Sequence, residues 1–301
     1  MALDELRDLL DRHARPGQLT AIEDVLISKV DRTGPPVPAM SGAVLAVVAQ
    51  GAKRIALGDR VYDYGAGQYL VASVDLPITG QFTRASPDRP ALGFGLILRP
   101  DAIAEVLPHA PAESTGTPSG LVVSDTPPEL LDAVVRLLRL IERPRDIPVL
   151  APLIKKEILW RLVTGEQGAA VRQLGLADSS LTHIARAVQW IRDHYAHAFQ
   201  VDELARLAGM SASAFHRHFQ AVTATSPIQF QKLIRLQQAR LLLAAGPADI
   251  TGVSRSVGYD SLSQFSREYR RQFGAPPSQD AARLAADQTA KNSIMSSRVG
   301  L

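Results

Sequence analysis

One short pattern is written twice between Val201 and Arg283, and it limits what the chain can fold into more than any other feature. In the first copy Leu204, Ala205 and Ala208 lead into Gly209-Met210-Ser211, followed by Ser213, Phe215, Arg217, Phe219 and then Ser226-Pro227. In the second, Val253, Ser254 and Val257 lead into Gly258-Tyr259-Asp260-Ser261, followed by Ser263, Phe265, Arg267, Tyr269 and then Pro276-Pro277. The offset is 49 positions at the glycines and 50 from the phenylalanines onward, so the second turn holds one extra residue. A unit of this length, repeated, is one supersecondary module used twice.

The physics of the module reads directly from its residues. Small side chains at Ala205 and Ala208 let one short helix sit close to another, and Gly209 supplies the positive φ that ends it. Ser211 or Ser213 caps a second helix. On that helix Phe215 and Phe219, spaced i and i+4, face the core, while Ser213, His216 and Arg217 face outward. This is helix-turn-helix logic, in which the outer face of the second helix enters the major groove. The expected DNA-facing set is Ser211, Ser213, His216 and Arg217 in the first copy, and Ser261, Leu262, Ser263, Gln264 and Arg267 in the second. Arg217 and Arg267 fall at equivalent positions, and arginine suits guanine O6/N7 or phosphate. Leu262 offers apolar contact to a thymine methyl. An ordinary solvated helix face is the competing reading of these polar residues, and the repeat is what tips the balance. Phe215, Phe219, Phe265 and Tyr269 have the spacing of core residues rather than of a base-stacking platform.

Val201 to Arg283 resembles the DNA-binding domain of the AraC-type transcription activators, in which two helix-turn-helix units are joined by one long helix. The likeness extends through the whole domain, including Arg235-Leu236, Ala239-Arg240 and Leu242-Leu243 in the connecting stretch and Phe273-Gly274 with Pro276-Pro277-Ser278 at its close. It implies a cytoplasmic transcription regulator, an activator and not an enzyme, with double-stranded DNA and RNA polymerase as partners.

Charge is distributed as such a role requires. From Ser179 onward there are 14 Lys and Arg against 8 Asp and Glu, while the rest of the chain carries 19 against 22. The basic half is the half with the repeat, where phosphates are to be met. At 301 residues the chain is about twice a typical domain, so two cores are expected. Cysteine is absent, which removes disulfides and thiolate metal sites. No apolar run approaches the roughly 20 residues that span a bilayer, and Asp4, Glu5, Asp8 and Asp11 do not suit a signal peptide.

The first half reads differently. Met1 to His13 has Leu at helical spacing. From about Thr20 to Leu98 short β-rich runs at 25–27, 43–48, 54–57, 68–74, 78–82 and 92–98 are separated by turn signals such as Gly34-Pro35-Pro36 and Gly58-Asp59. That is the signature of an antiparallel sandwich or barrel. The run Tyr62 to Leu70, followed by Ser73-Val74-Asp75-Leu76-Pro77, resembles the cupin-like N-terminal domain of one subgroup of AraC-type regulators. The resemblance implies an effector-sensing or dimerising module. A helix from Arg99 to Leu107, a loop from Pro108 to Gly120, and amphipathic helices over 127–141 and 149–163 complete this half. Part of their surface suits a homodimer seam.

The expected fold is therefore α+β: a cupin-like barrel with flanking helices over 1–165, a linker at 166–178, an all-α double helix-turn-helix domain at 179–285, and a disordered tail at 286–301. Its helix at Ser179 or Ser180 carries Leu181, Ile184, Val188, Ile191 and Tyr195 as a core stripe, and a bridging helix runs from about Pro227 to Ala244. If the barrel takes a small molecule, alternate interior residues such as Tyr62, Tyr64, Tyr69, Phe82 and Phe94 line the pocket, with plain core filling the competing reading. Two rivals remain at this point. One is a ligand-independent DNA-binding protein whose barrel only dimerises. The other is a cupin-type enzyme, which needs clustered histidines; only His13 and His109 precede Ser179, so neither a metal nor another cofactor is expected.

Overall fold

The computed structural model describes residues 2–15, 19–110, 119–176, 179–245 and 249–285. These group into two compact units: Met1–Val188 with Ala205–Ser226, and Gln189–Leu204 with the chain from Pro227 onward.

The first unit opens with α1 (Ala2–His13), whose acids Asp4 and Glu5 lie in the first turn and whose Arg12 and His13 lie in the last, matching the helix dipole. Nine strands follow among the described residues: β1 (Val25–Val30), β2 (Val37–Ser41), β3 (Val44–Gln50), β4 (Ala52–Leu57), β5 (Arg60–Gly65), β6 (Gln68–Ala72), β7 (Leu76–Arg84), β8 (Ala91–Ile97) and β9 (Leu121–Asp125). They form two antiparallel sheets with strand orders β1-β8-β3-β6-β9 and β2-β7-β4-β5. This is the double-sheet architecture expected from the period-two runs.

Three strands carried no clear periodic signal, β2, β5 and β9, and each lies at a sheet edge. An edge strand keeps part of its surface wet, so its apolar alternation is diluted. β2 also carries Pro38, whose missing N–H is easily accommodated at an edge.

One face of the five-stranded sheet carries Leu45, Val47, Tyr69, Val71, Leu92 and Phe94, which share a core with α1 and with α3 (Pro128–Arg139) and α4 (Ile147–Thr164). Both helices answer to the amphipathic stretches at 127–141 and 149–163. Alternate positions in the same strands, Val48, Leu70 and Ala72, are buried as well, on the opposite face. The four-stranded sheet buries Ile55, Leu57, Tyr64 and Ile78 on one side. The helix expected from Arg99 to Leu107 appears as a shorter α2 (Pro100–Ala104) followed by a 3-10 turn at Leu107–His109, because Pro108 cannot continue an α-helix.

The stretch expected as a linker, 166–178, contains a helix, α5 (Gly168–Gly175). Ala170 and Val171 are buried, and the helix packs on α2 and α4. Residues 177, 178 and the tail at 286–301 lie outside the described residues, as do 111–118 of the expected loop.

In the second unit, α9 (Pro227–Ala245), α10 (Ile250–Ser256), α11 (Leu262–Phe273) and a closing helix at 277–285 surround a core of Leu236, Ala239, Leu243, Val257, Tyr259, Phe265, Tyr269 and Ala281. The remaining helices are α6 (Ser180–Asp193), α7 (Val201–Leu207) and α8 (Ala212–Thr223).

Candidate nucleic-acid interface

The repeated phrase is a repeated backbone geometry. In the first copy Gly209 has φ 62°, its N–H donates to Arg206 O at 3.0 Å, and Met210 N–H donates to Ala205 O at 2.9 Å. In the second Gly258 has φ 88°, its N–H donates to Arg255 O at 2.9 Å, and Tyr259 N–H donates to Ser254 O at 3.0 Å. Both are Schellman terminations, in which a left-handed residue lets the last orphan carbonyls of a helix find donors. The chain then enters the second helix through a serine cap. Ser211 Oγ accepts from Ala214 N–H and Ser261 Oγ from Gln264 N–H, each at 3.3 Å.

Capping fixes the rotation of each second helix, and burial shows the result. Phe215 and Phe219 on α8, and Phe265 and Tyr269 on α11, are fully buried. Ser213, His216 and Arg217 are exposed on α8, and Leu262, Ser263, Gln264 and Arg267 are exposed on α11. Neither Arg217 nor Arg267 takes part in an ion pair among the described residues, so both guanidiniums are available. Gln264 Nε2 donates to Glu268 Oε1 at 3.2 Å, and the hydroxyls of Ser261 and Ser263 lie 2.9 Å apart. Ser211 and Ser261 thus serve first as caps. One turn beyond the nominated residues, Gln220 on α8 and Arg271 on α11 continue the exposed face. Their i+4 spacing from His216 and Arg267 was the signal available in the sequence.

The connecting motif explains itself as scaffold. Arg235 Nε donates to Tyr195 O at 2.7 Å, one terminal nitrogen to Gly258 O at 2.8 Å and the other to Ala196 O at 3.2 Å. Burial pushes this guanidinium below its ordinary value, and three carbonyls are the compensation. A Cβ on Gly258 would collide with Ala196 O, so glycine is required there for approach as well as for φ. At the close of the domain the fully buried carboxylate of Asp280 accepts from Arg240 Nε at 2.8 Å, Tyr269 Oη at 2.9 Å and Arg283 at 2.6 Å.

Within the first unit, the end of α8 meets the β-domain. Gly120 N–H donates to Val222 O at 3.2 Å, and a Cβ at Gly58 would lie 2.9 Å from Thr225 Cγ2 and 3.2 Å from Ala224 O.

The five nominated pocket residues divide into two groups. Tyr69 and Phe94 pack in the layer beneath α1, α3 and α4, and burial pushes the Tyr69 phenol up to about 12. Tyr64 and Phe82 lie on the four-stranded sheet, both directly paired with Lys53 of β4, and Tyr62 pairs with Ile55 two residues along. Cross-strand partners project to the same face, so these three share one surface with Lys53. Among the described residues no three His, Asp or Glu side chains converge on a metal-binding point. No helix among them is long and apolar enough to cross a membrane.

A β-domain of two antiparallel sheets, followed by a duplicated, serine-capped helix-turn-helix with arginines at equivalent exposed positions, defines a double helix-turn-helix protein that also carries a β-domain. The chain belongs to the AraC-type transcriptional regulators: residues 21–170 match the family described as AraC-type transcriptional regulator N-terminus, and residues 204–283 match a helix-turn-helix domain family. It is 30% identical over 167 residues to the virulence regulon transcriptional activator VirF of Yersinia enterocolitica, covering 54% of this chain and 60% of that protein. It is 29% identical over 159 residues to the transcriptional regulator ExsA of Pseudomonas aeruginosa, covering 53% of this chain and 56% of that one. The chain therefore spans somewhat over half the length of these relatives. Among solved structures, unsaturated fatty acid bound ToxT from Vibrio cholerae superposes with a TM-score of 0.52 at 8% identity, covering 85% of this chain and 94% of ToxT, a likeness of fold.

Proposed function

We propose that the chain is a sequence-specific DNA-binding transcription activator whose β-domain takes a small-molecule effector. The observation that carries the DNA-binding reading is the repetition of turn, cap and exposed arginine in two copies. A solvated helix face has no reason to recur in this form. Arg217 and Arg267 serve as base or phosphate contacts, with Ser213, His216, Ser263, Gln264 and Leu262 around them. The two helices enter successive major grooves, about one turn or 34 Å apart. Activation is supported by the likeness to VirF, a transcriptional activator, and it calls for contact with RNA polymerase.

An effector in the β-domain acts by favouring one arrangement of the DNA-reading half over another. The seat of the α8 end on Gly120 and Gly58 offers a direct path for that coupling. The fatty acid named for ToxT supports a small-molecule role for such a domain.

Selecting sites from random duplex DNA with the purified chain tests the reading. Recovery of a common motif with two boxes one helical turn apart is expected. Arg217→Ala and Arg267→Ala should each weaken binding to it by about 1–3 kcal/mol, the worth of one good base contact, with the melting temperature unchanged. Enrichment of no motif, or wild-type affinity in both variants, refutes the assignment of the reading face.

A further inference from the structure

Lys53 is out of place for a strand lysine. It shares the alternation phase of Ile55 and Leu57, both buried, and its register partners are Tyr64 and Phe82. Its ammonium lies 5.3 Å from the centre of the Phe82 ring, and its Cε passes over Gly80, in van der Waals reach of where a Cβ there would stand. No carboxylate or hydrogen-bond acceptor holds it among the described residues. Desolvation pushes it below the ordinary lysine range.

The surroundings share that excess of positive charge. A cavity of about 490 Å³ is lined by Lys53, Tyr64, Gly65 and Arg84, and a neighbouring one of about 590 Å³ by Gly51, Gly65, Arg84 and Arg89. Gly65 and Arg84 belong to both. The one carboxylate on the lining of the first, Asp63, is already held by Arg54 at 2.7 and 2.9 Å. Neither Arg84 nor Arg89 has an ion pair among the described residues.

We propose that Lys53 is the anchor of an effector site on the covered face of the four-stranded sheet, and that its ligand is a small organic monocarboxylate. The carboxylate takes the unsatisfied ammonium, and the apolar body lies against Tyr64 and Ala52, which line the first cavity with Lys53. Arg84 and Arg89 draw the anion to the opening. A single ammonium beside an aromatic ring suits a singly charged head on an apolar body. A phosphate dianion is better matched by the guanidinium forks of Arg84 and Arg89 at the opening than by one lysine, and phosphate therefore serves as a control in the test. Cavities of this size suit ligands of roughly drug size or below, for which about 300–1,000 Å³ is usual. This inference rests on the effector reading above and makes it chemically specific.

The test uses the full chain and six probes: octanoate and benzoate, their neutral amides octanamide and benzamide, inorganic phosphate, and octanol. Titration calorimetry and thermal shift are run on wild type, Lys53→Met and Lys53→Arg. Lys53→Met keeps the apolar stem and removes the charge; DNA binding and circular dichroism report whether each variant is folded. At least one carboxylate should bind wild type ten times or more tighter than its amide, and Lys53→Met should abolish that preference while Lys53→Arg keeps part of it. Equal binding of acid and amide, or a Lys53→Met chain that binds the acid as wild type does, overturns the anion site but leaves an effector domain standing. Phosphate binding as tight as octanoate also overturns the proposal. Silence from every probe up to millimolar concentration overturns the monocarboxylate site, while the effector reading and DNA binding are judged separately.

Discussion

Asp280 offers the sharpest test of how the second helix-turn-helix is held. Its carboxylate has no exposure to solvent and accepts from Arg240, Tyr269 and Arg283 at 2.6 to 2.9 Å. Arg240 lies with its guanidinium 4.9 Å from the Phe273 ring centre, and its side chain is 16% exposed. Tyr269 is fully buried. Asp280→Ala therefore leaves a largely buried cation and a buried hydroxyl without their acceptor, a loss of about 3–5 kcal/mol. Asp280→Asn keeps the shape and one acceptor oxygen but gives up the charge-assisted part, a loss of about 1.5–3 kcal/mol. At about 4–8 °C per kcal/mol for a unit of this size, the alanine variant should melt more than about 12 °C below wild type in the transition that contains the second unit. Calorimetry on the full chain, with hydrogen exchange to assign the transition, measures both variants. If the two stay within about 0.5 kcal/mol of wild type, a magnitude typical of surface substitutions, the buried network contributes nothing and the reasoning fails. There is a pH signature as well. Burial alone would raise the Asp280 carboxyl, yet the hydrogen bonds from Arg240 and Tyr269 outweigh it and hold it below its ordinary value. A carboxyl depressed on folding contributes its full stability above the unfolded value near about 4. That contribution is lost as pH falls through the folded value. Asp280→Asn should flatten the acid slope of stability.

The repeat supplies its own control for a second prediction. Ala224 and Gly274 occupy equivalent caps with φ of 58° and 79°, and a Cβ on Gly274 would meet nothing within 4 Å. Gly274→Ala should therefore cost about 1 kcal/mol from backbone conformation alone, and Ala224→Gly should be neutral to about 1 kcal/mol stabilising; urea denaturation measures both, and an unaffected Gly274→Ala chain refutes the account. At the seat of α8, a side chain on Gly120 would collide with Val222 O. Gly120→Ala should raise hydrogen exchange at 222–225 about tenfold or more, equivalent to about 1.4 kcal/mol of lost local stability, and unchanged exchange there would show that the contact holds nothing.

What the sequence made legible is what is local. Gly209, Ser211 and Phe215 each act within a few residues of themselves, through φ, a cap and a helical stripe, so the helix-turn-helix could be read from one copy and checked against the other. The exposure of Arg217 and Arg267 follows from the burial of their phenylalanine neighbours. Arg235 and Asp280 belong to the same domain but act on partners 40 residues distant. Arg235 is visible in the sequence only as part of a resembling motif, and nothing local singles out Asp280. The β-domain shows the same divide. Its central strands and the edge strand β1 carry clear apolar runs, whereas the edges β2, β5 and β9 do not. The assignment of faces needed the register, which is why Tyr69 and Phe94 fall beneath the helices while Tyr64 and Phe82 share a surface with Lys53. One local cue to that surface did exist. Lys53, Ile55 and Leu57 keep one phase of a short strand, while Arg54 on the other phase is exposed and already paired with Asp63. A lysine in an apolar phase is either tolerated by reaching for solvent or retained to meet a charge. The geometry of its two aromatic partners and the free arginines at the opening favour the second, and the loss of acid-over-amide preference in Lys53→Met is the measurement that separates them.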